Sequence, residues 1–355
     1  MWALLLFTTT LILFSLPVLP ALWEWKLKRD VQPLGINQGH TGNIRHFADT
    51  FRKFVRKNHS KGIRSDEPGA PDSPFATARA NRLSAEDGQA AQSGRLGRVL
   101  VAESTCVLPD YAEFDQEIFA RTSLGTGVNS HFRGVLSRSH LLIRRNGVVL
   151  RWAHGKSVVI ENDCLILGRL SADEKIVIQA GTRFTRLNAP RVVFGDVDIL
   201  SGVTDWLNDM LFGHGSSSGE RQLTNGDLQL PENSATQADV IVRGNLLIQR
   251  HASVMGSVKS HGNMTLERGV TVSGALVCGG LLTIGESCRL GGPVVAERGI
   301  HVDSQVVIGS PNHRATVTSP EIHIVEGVVV HGTVWARVHG KVLSVDTAKN
   351  RGAAE

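Results

Sequence analysis

Aromatic residues are scarce in this chain: one Tyr, 12 Phe and 6 Trp among 355 residues. That supplies few platforms for stacking the bases of single-stranded nucleic acid. There are only 4 Cys and none forms a CxxC pair, which excludes a disulfide-stapled scaffold and a zinc ribbon. Glycine is plentiful at 37 residues but lacks the every-third spacing of collagen. Charge is unevenly placed. Within a net charge of +5, residues 24–64 hold ten Lys and Arg against three Asp and Glu, so the rest of the chain carries −2. The main body is therefore not a basic, nucleic-acid-binding surface, and no nucleic-acid partner is expected. What the chain does have is length and a hydrophobic content of 41%, enough for one large or two modest domains with a core.

Residues Trp2 to Trp23 carry no charge. About 20 such residues are what a helix needs to cross a bilayer, so segment 1–23 reads as an N-terminal transmembrane helix. A cleaved signal peptide is the rival, with a cleavage site near Ala21, but no Lys or Arg precedes the run. Lys26, Lys28 and Arg29 follow it, and positive charge on that flank places the body on the cytoplasmic side of a single-pass inner-membrane protein. In the juxtamembrane segment 24–64, Ile44, Phe47, Phe51, Phe54 and Val55 fall on one helical stripe, complemented by Arg45, Arg52, Lys53, Arg56 and Lys57. Such a helix either lies on anionic lipid headgroups or docks on the protein's own domain. Residues 65–97, rich in Pro, Gly, Ala, Ser and Gln, read as a flexible linker.

The decisive feature is a six-residue repeat. Apolar-x-apolar pairs recur from Leu246/Ile248 through Ala252/Val254, Val258/Ser260, Met264/Leu266, Val270/Val272, Leu276/Cys278 and Leu282/Ile284 to Val306/Ile308, with Ser260 the one polar member. Glycine follows two residues after the pair at Gly256, Gly262, Gly274, Gly280 and Gly292. Each pair is a short strand with both outer side chains on one face. Each glycine is a corner where the missing Cβ admits a tight or left-handed turn. Three units make one coil, so equivalent positions recur at i and i+18, as Gly244, Gly262 and Gly280 do, and stacked coils pair strands in parallel. The expected fold is all-β, a three-sided β-helix.

A looser version runs through Val158/Ile160, Cys164/Ile166, Leu170/Ala172 and Ile176/Ile178. The expected organisation is a β-rich cap over 98–139, a first β-helix block over 140–200, an insertion over 201–238, a second block over 239–342 and a tail over 343–355.

The run from Val270 to Gly285 resembles the core of the bactofilins, bacterial polymer-forming cytoskeletal proteins. The likeness is good over about 240–340 and weak over 140–195. It implies a right-handed, three-sided β-helix whose units assemble end to end without nucleotide, and no catalytic residue to carry over. On this resemblance the chain is a non-catalytic, membrane-anchored scaffold that binds its own copies and membrane lipids. It would recruit unidentified proteins of envelope or polysaccharide synthesis. The anchor, cap and insertion depart from the usual pattern. Two other readings stand beside it. A left-handed hexapeptide β-helix acyl- or nucleotidyl-transferase also repeats every six residues, but there glycine directly follows the aliphatic residue. A periplasmic, polysaccharide-binding β-helix requires the opposite topology.

Chemistry is sparse elsewhere. Gly155-Lys156-Ser157 resembles the end of a P-loop, but Leu150 stands where the upstream glycine belongs. His313 and His331 stand one coil apart without a Cys or carboxylate partner at ligand spacing, so they read as surface histidines rather than metal ligands. Cys164, Cys278 and Cys288 fall on inward positions. No cofactor or metal is expected. Trp206, Met210 and Phe212 in the insertion offer an apolar turn for docking a partner or for folding over the β-helix. Val330, Val334 and Trp335 mark the last coil, the expected assembly end.

Overall fold

The computed structural model describes residues 2–15, 45–62, 75–78, 89–92, 95–195 and 221–346. Helices Trp2–Ser15 (α1) and His46–Gly62 (α2) precede 27 strands in one sheet system, an all-β solenoid of about 12 turns. The expected β-helix is there. The expected transmembrane helix is not: no described helix is long and apolar enough to cross a membrane. α1 has 14 residues, about 21 Å of helix at 1.5 Å per residue, against a hydrocarbon core of about 30 Å.

The solenoid has three sheet faces. Inward residues of the first run Phe114, Phe132, Val149, Ile166 and Phe184 in successive coils. The second runs Ala76, Leu100, Ile118, Val135, Ala153, Leu170 and Leu187. The third runs Cys106, Leu124, Leu141, Val158, Ile176 and Val192. Segment 98–139, expected as a cap, is thus itself coil. The first block begins with strand Phe75–Ala78 inside the expected linker. Ala91, from the turn at 89–92, is buried in the same core, and Leu96 bridges Phe114 on the first face. The coil period slips there by one position, the step from Phe132 to Val149 being shorter than that from Phe114 to Phe132, with register shifts in four pairings.

The second block is regular. Val240, Val258, Leu276 and Val294 stack in register, as do Leu246, Met264, Leu282 and Ile300, and Val254, Val272, Leu290 and Ile308. It begins earlier than expected. Strands Arg221–Thr224, Leu228–Leu230 and Ala235–Thr236 form its first coil, so most of the presumed insertion's second half is solenoid. Four of the six inward positions in that coil are polar: Gln222, Thr224, Ser234 and Thr236, opposite Val240, Val242, Ala252 and Val254. A terminal coil has water on one side, and polar inward positions tolerate it. Residues 310–314 bulge out of a later coil, carrying the register from Val294 to Val317.

The corners differ from expectation too. Gly256, Gly262, Gly274, Gly280 and Gly292 do not adopt positive φ. A Cβ on Gly274 would lie 2.6 Å from the carbonyl of Gly256 in the preceding coil, so this glycine serves close approach between coils. The left-handed residue sits at another corner, once per coil: Asn233, His251, Gly269, Ser287, Gln305 and Gly327 in the second block. Tyr111, Asn129, Asn146, Asp163 and Gly181 hold it in the first.

Candidate functional site

The two blocks meet through the antiparallel pairing of strand Arg183–Phe194, the end of the first, with strand Val329–Leu343, the end of the second. Every other pairing among the described strands is parallel. The three faces continue across this joint: Phe184 meets Gly340, Leu187 meets Val334, and Val192 meets Val330. Coils of the first block visit the faces in the order Phe114, Ile118, Leu124. Those of the second visit them in the order Val258, Met264, Val272, which is the reverse. Rotation sense and axial direction both invert between the blocks, so both have the same hand and they meet end to end. The chain leaves the joint at Gly195 and re-enters at Arg221 in the far coil. On the third face that coil lies six rungs from Val193, through Val329, Val307, Arg289, Thr271, Ser253 and Ala235, or about 29 Å at about 4.8 Å per rung.

The joint is built like a core. Phe194 donates its N–H to the Val328 carbonyl at 2.9 Å, and Gly327 donates to the Phe194 carbonyl at 2.7 Å. On another edge Gly181 and Val342 donate to the carbonyls of Val342 and Thr182, each at 3.0 Å. Gly340 is required here, since a Cβ would stand 2.4 Å from the Phe184 ring. Asn188 donates to Thr333 Oγ1 at 2.6 Å. His331 is buried in the joint rather than on the surface, and its Nδ1 donates to the Pro190 carbonyl at 3.2 Å. The Arg186 guanidinium lies 5.0 Å from the centroid of the Trp335 ring. Burial, and then the charge of Arg169, lower the Arg186 pKa.

This placement corrects the expected assembly end. Val330 and Val334 are buried against the chain's own first block, and Trp335 lies over Arg186, so the last coil is occupied from within. Among the described residues the ends that lack a neighbouring coil are both first coils. In the second block, strands Arg221–Thr224, Leu228–Leu230 and Ala235–Thr236 pair on one side only among the described residues. Leu228 donates its N–H inward to Asn245, and the Leu230 carbonyl accepts from Gln249. Strand alternation then aims the N–H and C=O of Gln229 outward.

α2 settles the choice left open for the basic segment. Ala48, Phe51 and Val55 are buried on outward residues Val101, Phe119, Leu136 and Trp152 of the second face, and Phe51 packs edge-on to Trp152 at 5.7 Å. Its apolar stripe is used on the solenoid, leaving Phe47 and Phe54 half-exposed and Lys53, Arg56 and Lys57 on the outer side. Arg45 is also exposed, and Arg52 pairs with Asp49 at 3.6 Å. A groove of about 370 Å³ runs beside the helix, lined by Phe47, Phe54, Glu117, Arg151 and Trp152 among others. Lys26, Lys28, Arg29, Trp206, Met210 and Phe212 lie outside the described residues.

One constellation had no signal in the sequence. His154 Nδ1 is 2.9 Å from Ser171 Oγ, and its Nε2 is 3.4 Å from Asp173 Oδ1. The residue types are those of a hydrolytic triad, but His154 and Ser171 are 2% and 3% exposed, so the hydroxyl has no route to a substrate. The four thiols are also buried; burial raises the pKa of each, that of Cys164 and Cys288 to about 12. Comparison with protein-family models, with curated proteins and with solved structures finds no match to this chain.

Proposed function

We propose that this chain is a non-catalytic, self-assembling scaffold of bactofilin type, in which rigid double-block rods join through their first coils and present long lateral faces to recruited envelope proteins. The observation that carries this is the joint. It is an end-to-end contact between two solenoids of the same hand, made by backbone pairing and a continuous apolar core. A second copy brought to a first coil meets the same kind of half-paired edge. Membrane attachment is part of the proposal, without a span. α1 is apolar, with Trp2, Leu5, Leu6 and Phe7 exposed, and favours burial in lipid. Lys53, Arg56 and Lys57 add attraction to anionic headgroups. Repetition along an array converts weak contacts into high local concentration of whatever is recruited.

The test is negative-stain electron microscopy of the full chain in mild detergent, with sedimentation across micromolar concentrations. Rods should join lengthwise without nucleotide. Gln229→Pro removes one outward donor from the open edge and leaves the inward bonds intact, so it should return single rods with an unchanged melting temperature. Wild-type particles that stay single at every concentration would overturn the scaffold.

A further inference from the structure

Asn-Gly occurs twice in the chain, at Asn146-Gly147 and Asn225-Gly226, and the solenoid treats the two steps oppositely. The dipeptide is prone to spontaneous deamidation, because a glycine without a Cβ lets its own backbone nitrogen reach the preceding side-chain amide. That attack needs the glycine N–H to be free and open to water. At Asn146-Gly147 it is neither. Gly147 is buried and donates its N–H to the Arg144 carbonyl at 3.0 Å, while Asn146 Nδ2 donates to Asn129 Oδ1 at 2.8 Å. Asn225-Gly226 stands at the corner between strands Arg221–Thr224 and Leu228–Leu230 in the first coil of the second block, and both residues are exposed. The following coils repeat one bond at this corner. Gly244 donates to the Gly226 carbonyl at 3.2 Å, Gly262 to the Gly244 carbonyl at 3.0 Å, and Gly280 to the Gly262 carbonyl at 3.0 Å. Each corner glycine thus gives its N–H to the coil before it. Gly226 has no coil before it, and among the described residues nothing accepts its N–H.

We propose that Asn225 is a site of spontaneous deamidation, opened to it by its place in a terminal coil. The Gly226 nitrogen loses its proton to hydroxide and attacks Asn225 Cγ. The Cγ–Nδ2 bond breaks, the leaving nitrogen takes a proton from water and departs as ammonia, and a five-membered succinimide closes. Water then opens the ring at either carbonyl, giving aspartate or isoaspartate. One water is consumed, one ammonia is released, and nothing is oxidised or reduced. Either product adds a carboxylate close to that of Asp227. Isoaspartate also lengthens the backbone by one carbon. That displaces Gly226, whose carbonyl holds Gly244, and Asp227, whose Oδ1 accepts from the Asn245 N–H at 2.7 Å. A consequence rests on the scaffold reading. The altered corner belongs to the edge by which rods join, so an unjoined rod loses its joining capacity with age.

The test is peptide mass spectrometry of the full chain incubated at pH 8.0 and 37 °C, where each conversion replaces an amide NH2 by OH. Asn225 should convert about tenfold faster than Asn146 or more, because two hydrogen bonds must open at the latter first. In urea the two rates should converge. Arg243→Asn builds the same dipeptide one coil inward, ahead of Gly244 with its bonded N–H, and should convert as slowly as Asn146. Gly226→Ala, with nothing within 4 Å of the added Cβ, should slow conversion at Asn225 and leave the melting temperature unchanged. Equal rates at Asn225 and Asn146 in the folded chain, or fast conversion in Arg243→Asn, would overturn the assignment. Sedimentation reads the consequence separately: aged wild-type rods should join less than fresh ones, and aged Gly226→Ala rods as well as fresh. Fresh rods that never join would sink the scaffold and leave the deamidation site standing on its rates.

Discussion

The two blocks solve one geometric problem with different materials. Up to residue 309 the second closes each coil in three equal six-residue steps, with strands of two to four residues and glycines where coils touch, and only its last strands, Ala315–Val325 and Val329–Leu343, are long. Its core is aliphatic, with Cys278, Cys288 and Met264 as the only sulfur-bearing members. The first ends in strands of 12 to 14 residues that bend through corners, absorbs its one-residue period slips as register shifts, and places rings in its interior. Phe114 and Phe132 stack at 5.4 Å, and Phe184 tilts on Phe194 at 6.0 Å. Regularity therefore comes from steric restriction: where backbone approaches backbone without a Cβ, the period cannot slip, and where side chains make the spacing, it can.

The largest predicted contrast is in the cores. Phe132→Ala should cost about 3–5 kcal/mol by chemical denaturation, the range for an aromatic deletion from a packed interior. A loss below about 1 kcal/mol would mean the first block repacks freely and its rings are filler. Next come the corners. Gly274→Ala places a Cβ 2.6 Å from backbone and should cost about 1–3 kcal/mol. Gly97→Ala, with nothing within 4 Å, should leave stability unchanged. Equal effects would erase the distinction between steric and side-chain spacing. Smaller still, Trp335→Ala removes the ring under Arg186 and should lower stability by about 0.5–1 kcal/mol, with the melt remaining a single transition because backbone pairing still couples the blocks. Two resolved transitions would show that the joint is weaker than its hydrogen bonds suggest. The last prediction is no difference at all. A thiol reagent at pH 8 should label neither block until denaturant is added. Because burial raises the pKa of Cys164 and Cys288 from 9.0 to about 12, the thiols contribute stability that is complete below about pH 9. As pH rises through 9 towards 12 the unfolded chain ionises first and that stability is lost.

Legibility in the sequence follows the same division. The second block can be read residue by residue, because apolar-x-apolar at a fixed six-residue step has no helical counterpart. In the first block only 140–195 is visible. The coils over 99–139 read as a cap because the step from Phe114 to Phe132 is one position longer than the step from Phe132 to Val149, which breaks any fixed period. The coil at 221–238 is hidden for a different reason: Gln222, Thr224, Ser234 and Thr236 stand where the pattern demands apolar residues. The left-handed corner is invisible because six residues of five types occupy it in the second block. Of the candidate sites, Val330, Val334 and Trp335 do lie on the last coil, but the residues they touch, Val192, Leu187 and Arg186, are remote in the chain.

By itself the sequence determined the class of fold, the three-step coil, the inward positions of the second block and the amphipathic character of residues 44–57, because each is a local periodicity imposed by backbone geometry. Tertiary structure alone decided that the blocks oppose each other, that the expected assembly end is consumed internally, and that α2 covers a solenoid face. Those outcomes depend on which edge meets which, a choice of pairing partner that no local pattern encodes, because any coil end exposes the same unpaired backbone groups.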